Sequence, residues 1–236
     1  MRPTNRWSRR ANARGSAVAL DGHSKRRMNM TSTQIWGLVL AAIVVAGGLV
    51  FWARRTPEAP RVATQSVDVV IDDQTLNGSD VFALIEPVWS AVDIYKSWNE
   101  YKATLRPFSE SQRHLFAIQW YRSEVNNGGH DQFFFNSTGI VWEHAVQGFE
   151  AIGLTEGADI LRTASGRIGG AARDRFERQA QLERANADFE DLDSRFYRLD
   201  ESGELDRKML AFARQHPTDF YFKGRVKRLV LPAGTP

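Results

Sequence analysis

Nineteen consecutive residues without a charge, Ile35 to Ala53 (IWGLVLAAIVVAGGLVFWA), constrain this chain more than any other feature. At roughly 1.5 Å per residue a helix over them spans about 28 Å, close to the hydrocarbon thickness of a bilayer. Trp36 and Trp52 stand at its two ends, where indole rings favour the lipid–water boundary. Charges stop at Arg27 and resume at Arg54 and Arg55. A cleaved signal peptide has a shorter apolar run followed by small residues, and Phe51-Trp52-Ala53-Arg54-Arg55 is the opposite. The segment predicts a retained single-pass anchor, a membrane location and the lipid bilayer as a partner of residues 35–53.

Eight Lys/Arg residues precede the segment and Arg54, Arg55 and Arg61 follow it, which by the positive-inside rule puts the N-terminus in the cytoplasm. A chain begun at Met28 or Met30 would lose all eight, and Arg54 and Arg55 would then hold the main domain inside. Residues 1–34 are rich in Arg, Ser and Asn without apolar periodicity and read as a disordered basic tail.

Charge divides along the same line. Residues 1–55 carry ten Lys/Arg and one acid, whereas residues 56–236 carry 21 Lys/Arg and 27 Asp/Glu. The high isoelectric point therefore belongs to the tail, and direct nucleic-acid binding by the domain is not expected. With no cysteine, disulfide scaffolds, thiol nucleophiles and Cys-ligated metal centres are excluded.

Residues 54–78 read as a linker, with a weak strand signal where Val67, Val69 and Ile71 alternate with Asp68, Val70 and Asp72. From residue 79 to 215 helical spacing dominates, so the predicted class is all-α: one transmembrane helix followed by a compact multi-helix domain. Ser79 is a candidate cap for a helix that Pro87 kinks. Ser109-Glu110-Ser111-Gln112 matches a capping box, and the helix it opens should reach Val125 and stop at Asn126-Asn127-Gly128-Gly129. Leu115, Ile118, Tyr121 and Val125 form one apolar stripe and Phe116 and Trp120 a second, which places this helix at the centre. Val141, Ala145, Gly148 and Ile152 line a further helix, and Gly153 suits its C-terminus. Residues 165–187 read as a loop and an exposed Arg-rich helix, and residues 216–236 as a basic tail.

One stretch exceeds ordinary helix chemistry: Glu124-Val125-Asn126-Asn127-Gly128-Gly129, then Phe133-Phe134-Phe135, then Asn136-Ser137-Thr138-Gly139. Asn-Asn-Gly-Gly tolerates positive φ and a tight reversal. Glu124 continues the Phe116–Trp120 line and is unfavourable at its own helix C-terminus unless it accepts hydrogen bonds, for which backbone N–H groups of the next turn are the expected donors. The three phenylalanines are expected to anchor a short helix in the core.

This signature (Glu124, Asn126, Asn127, Gly128, Gly129, Phe134, Asn136, Gly139) resembles that of the C-terminal domain of the DNA-mimic protein family. Leu192-Asp193-Ser194-Arg195-Phe196-Tyr197 is similar to a second, weaker family motif, and the resemblance covers roughly residues 80–215. It implies an all-helical, non-catalytic domain without a cofactor, a homodimer, and a DNA-binding protein as partner, engaged by carboxylates arrayed like a phosphate backbone. The matching acidic face lies in residues 183–206, with nine acids against three arginines. Asp188, Glu190, Asp191, Asp193, Asp200 and Glu201 are its candidate binding residues, although Arg184, Arg195 and Arg198 interrupt the array.

The alternative is a metal- or carboxylate-dependent hydrolase centred on Glu124, His130 and Asp131, with His144 as a further ligand candidate. No HExxH pair, Walker loop or GxSxG motif supports it.

Overall fold

The computed structural model describes residues 64–229. The tail, the expected anchor at 35–53 and residues 54–63 and 230–236 lie outside them. Among the described residues no helix is long and apolar enough to cross a membrane.

The described chain is mostly helical, in this order: β1 (Thr64–Ile71), α1 (Asp73–Leu76), α2 (Val81–Ala91), α3 (Trp98–Leu105), α4 (Glu110–Phe135), a 3-10 turn (Ser137–Val141), α5 (Trp142–Ala151), α6 (Thr155–Arg167), α7 (Arg175–Ala185), α8 (Glu190–Glu201), α9 (Glu204–Gln215), α10 (Pro217–Phe220) and β2 (Phe222–Leu229).

The all-α expectation needs one correction. β1 and β2 pair antiparallel, with Thr64 opposite Leu229 and Ile71 opposite Phe222. Residues assigned above to the linker and the basic tail thus close the domain on itself. The reason is the period-two pattern: Val69, Ile71 and Val226 are buried on one face against the helices. Arg228 of β2 forms an ion pair with Glu86 of α2, fastening the sheet to the helical body.

α4 is the central element, as its two apolar stripes predict. Leu115, Phe116, Ile118, Tyr121 and Val125 are fully buried, and α2, α5, α7, α8 and the 3-10 turn pack around them. Each such side chain contributes about 1.5–3 kcal/mol by leaving water. The helix begins at the expected capping box, with Ser109 Oγ accepting from Gln112 N and Gln112 Oε1 accepting from Ser109 N. A second capping box, Ser97 with Glu100, opens α3. Asp80 caps α2 where Ser79 is expected, its carboxylate accepting from Phe82 N at 2.8 Å. Pro87 lies inside α2. At the end of α5, Gly153 has the positive φ expected of it.

Candidate functional site: the signature turn and the acidic cleft

The first signature segment lies where α4 breaks and resumes. Helical geometry continues through Asn127, two residues beyond the expected stop. It fails at Gly128 (φ −163°, ψ 29°) and Gly129 (φ 73°, ψ −175°), then runs on to Phe135. Gly129 occupies a backbone region that an L side chain rarely enters, and a Cβ there would lie 2.4 Å from Asp193 Oδ2. Of the three phenylalanines expected in the core, Phe133 and Phe134 are fully buried, while Phe135 is 52% exposed because the last helical turn rotates it outward.

Glu124 is buried, as expected, but its donors differ from the expected backbone groups. Gln132 Nε2 and Asn136 Nδ2 each donate to Glu124 Oε2 at 2.9 Å. The carboxylate therefore ties the two halves of the broken helix and its terminus together. Asn126 instead donates to Asp200 Oδ2 at 2.6 Å.

The two motifs meet in space. Asp193 Oδ1 accepts the His130 backbone N–H at 2.9 Å and lies 2.5 Å from His130 Nδ1. His130 is fully buried, and its Nε2 lies 2.7 Å from Tyr121 Oη. Because Asp193 accepts only, Nδ1 carries the proton, and in the neutral ring Nε2 accepts from the Tyr121 hydroxyl. Burial, with Asp193 and Tyr197 nearby, raises the Tyr121 pKa well above its ordinary value, so the phenol keeps its proton. From the same motif Tyr197 Oη donates to Val125 O at 3.1 Å, and the Phe196 ring packs edge-on to Tyr121 at 4.8 Å. The turn is thus clamped by α8.

A second clamp was not legible in the sequence. Arg178, on a helix expected to be exposed, is completely buried. Its Nε donates to Phe134 O and its Nη2 to Asn136 O, both at 2.7 Å, and its Nη1 to Ala172 O at 2.8 Å. Phe134 O lies in the last turn of α4, where carbonyls lack an intrahelical partner, Asn136 O also accepts from Gly139 N at 3.2 Å, and a cation is favoured at that end of the dipole. Burial, helped by Arg175 and opposed by Asp174, lowers the guanidinium pKa to about 10, so it stays charged at neutral pH. Gly139 permits the approach, since a Cβ there would lie 2.5 Å from Arg178 Nε. The one local signal was Arg178 standing four residues before the buried Leu182.

The hydrolase centre expected as the alternative would draw on Glu124, His130 and Asp131. The structure joins His130 to Asp193 and Tyr121, holds Glu124 with amides, and leaves Asp131 exposed on the surface. His144 is elsewhere, with Nδ1 3.2 Å from Tyr101 Oη and its ring against Trp98. Among the described residues no group of three or more His, Asp or Glu side chains is placed to hold a metal.

The six candidate acids of 183–206 fall into two sets. Asp193 is drawn inward onto His130. Asp200 forms an ion pair with Arg122 Nε at 2.8 Å. Burial would lower the Arg122 pKa, but Asp200 and Asp206 outweigh it and raise it. Asp191 makes two hydrogen bonds with Arg167, at 2.6 and 2.7 Å, which hold its pKa down at about 2. Three of the six are therefore committed within the domain. Asp191 stays exposed in its pairing with Arg167, and Asp188, Glu190 and Glu201 are exposed as well. Asp188 and Glu190 line an open cleft of about 510 Å³ together with Asp131, Asp193, Ala187, Phe189, Ser194 and Tyr197. Asp131 and Glu190 have no cationic partner among the described residues. The cleft adjoins the signature turn, so the residues that hold the turn also shape its wall.

No curated protein and no solved structure matches the chain. One family model does, that of the DMP19-like proteins, and it covers residues 106–216, from the start of the central helix to the end of α9. Over residues 106–216 the chain is therefore similar to the DMP19-like, DNA-mimic family.

Proposed function

We propose that the domain is a non-catalytic binding module, held at a membrane by residues 35–53, that engages a basic DNA-binding protein through the acidic cleft beside the signature turn. The observation that carries this reading is the placement of Asp131, Asp188 and Glu190 around one open cleft, exposed, with Asp131 and Glu190 free of cationic partners among the described residues. Such carboxylates offer the one-signed charge that a phosphate-binding surface selects. The buried Asp193–His130–Tyr121 chain and Arg178 hold the turn, so the acids are presented from a rigid support. Asp191 and Asp200, tied to Arg167 and Arg122, serve the fold rather than the partner.

The test compares the full chain with a D131K/D188K/E190K variant of unchanged melting temperature, each used to capture proteins from cell extract. The wild type should retain a DNA-binding protein that duplex DNA or high salt releases, and the variant should retain at least about tenfold less. Retention indifferent to charge reversal and to salt would sink the acidic-cleft reading. A DNA-binding partner also requires the domain to face the compartment that holds DNA. A reporter active only in the cytoplasm, fused to the C-terminus, should be active, and an exported C-terminus would rule that partner out.

A further inference from the structure

The sheet presents a face that the acidic-cleft reading does not use. Register sorts β1 and β2 into two sides. Val67, Val69 and Ile71, opposite Val226, Gly224 and Phe222, turn toward the helices. Ser66, Asp68 and Val70, opposite Lys227, Arg225 and Lys223, turn away. On this outer side Arg225 pairs with Asp68 at 3.0 Å, while Lys223 and Lys227 are exposed and have no ion-pair partner among the described residues. Val70, 50% exposed, lies opposite Lys223. In a domain where acids outnumber bases, this is a net-positive strip with an exposed apolar side chain.

We propose that this outer face docks on the anionic lipid headgroups of the bilayer in which residues 35–53 are anchored. The proposal rests on the anchor part of the reading above. Two observations choose a bilayer as the occupant. The first is the chain outside the described residues: only ten residues separate Ala53 from Thr64, the first residue of β1. Fully extended they reach at most about 35 Å, so the sheet is the part of the domain held nearest the membrane. Tethering at that range gives a weak surface contact a high effective concentration. The second is charge. Lys227 lies opposite Ser66, two residues from the tethered end, whereas Asp72 and Asp73 follow the far end of β1. Lys223, Arg225 and Lys227 against the single Asp68 nevertheless leave the outer face net positive, which a negatively charged surface attracts. Lysine stems can lie along the headgroups with their ammonium groups among the phosphates, and Val70 can sit in the interface between them. Arg228 takes no part, because it is committed to Glu86 on the inner side.

The absence of cysteine from the sequence makes a clean probe possible. The full chain carrying Val70→Cys is spin-labelled at that position. It is reconstituted in vesicles of phosphatidylcholine alone or of phosphatidylcholine with phosphatidylglycerol, and flotation checks its association. Accessibility of the label to a water-soluble relaxant should fall at least about threefold in the anionic vesicles and recover in high salt. Lys223→Glu together with Lys227→Glu should abolish the fall. A chain that floats with both vesicles but keeps a fully aqueous label in both would overturn the docking proposal and leave the anchor standing. A chain that floats with neither would overturn both.

Discussion

Asp193 Oδ1 accepts the His130 backbone N–H at 2.9 Å and lies 2.5 Å from Nδ1 of the same residue, so one carboxylate oxygen holds a buried histidine at two points. The residues are 63 positions apart, one in each family motif, and this contact is where the motifs become a single structure. Removing the acceptor takes the partner from two donors of a fully buried histidine. Asp193→Ala should cost about 3 kcal/mol, and Asp193→Asn, which keeps one acceptor oxygen, about half of that. Thermal melts of the two variants check the order. An alanine variant that melts with the wild type would show that the contact does not support the fold.

Gly129 next to that contact should tolerate no side chain. Its φ of 73° with ψ of −175° suits glycine alone, and a Cβ would enter the space of Asp193 Oδ2. Gly129→Ala is expected to destabilise by about 3 kcal/mol. Gly166 is the control, because it lies within α6 and a Cβ there meets nothing within 4 Å. Gly166→Ala should stabilise by about 0.5–1 kcal/mol through helix propensity. Denaturant midpoints of both variants decide this, and equal effects would contradict the assignment of strain to Gly129.

Glu124 acts as an acceptor for two amides, and both bonds go to Oε2. Glu124→Gln keeps one oxygen able to accept both, so the loss should be under about 1 kcal/mol. Glu124→Ala leaves Gln132 and Asn136 without their partner and should lose about 2–3 kcal/mol. Melting curves of the pair separate an acceptor role from a need for negative charge. If the glutamine variant were as unstable as the alanine variant, the charge itself would be what the turn requires.

His144 makes stability depend on pH. Burial chiefly, with His114, Arg113 and Arg173 adding to it against Glu143, lowers its folded pKa from 6.5 to about 4. Burial lowers the His114 pKa as well. Between those two values the unfolded chain binds a proton that the native ring refuses. The contribution is therefore complete above pH 6.5 and is lost as pH falls toward 4. After screening at this partly exposed site the loss should be about 2 kcal/mol. His144→Gln should flatten that slope in melts taken across the interval, and an unchanged slope would assign the pH dependence to other groups.

Much of the central helix was legible because its signals are local. The Ser109–Gln112 capping box, the two apolar stripes and the Asn-Asn-Gly-Gly break each depend on residues within a few positions of one another. The reversal was expected slightly early, since Asn126 and Asn127 stay helical and only the glycines leave that geometry. The sheet was half legible. Val67, Val69 and Ile71 carry the alternation, but their partners lie some 155 residues away at the other end of the domain. A strand whose partner is unknown reads as linker.

The candidate site divides in the same way. Sequence by itself determined that Glu124 and the turn after it are exceptional, that the chain resembles the DNA-mimic family, and that the carboxylates concentrate in residues 183–206. All of these follow from residue identity and short-range spacing. Which carboxylates face outward was decided by the tertiary structure. Asp193 and Asp200 meet His130 and Arg122 from other elements and turn inward, Asp191 is paired with Arg167 at the surface, and Asp131, from the first motif, joins Asp188 and Glu190 at the cleft. Arg178, one arginine among many in the sequence, became the buried cap of α4 only when α7 packed across its end. Charge along a chain is one-dimensional, whereas pairing and desolvation depend on which elements meet, and only the packed structure specifies that.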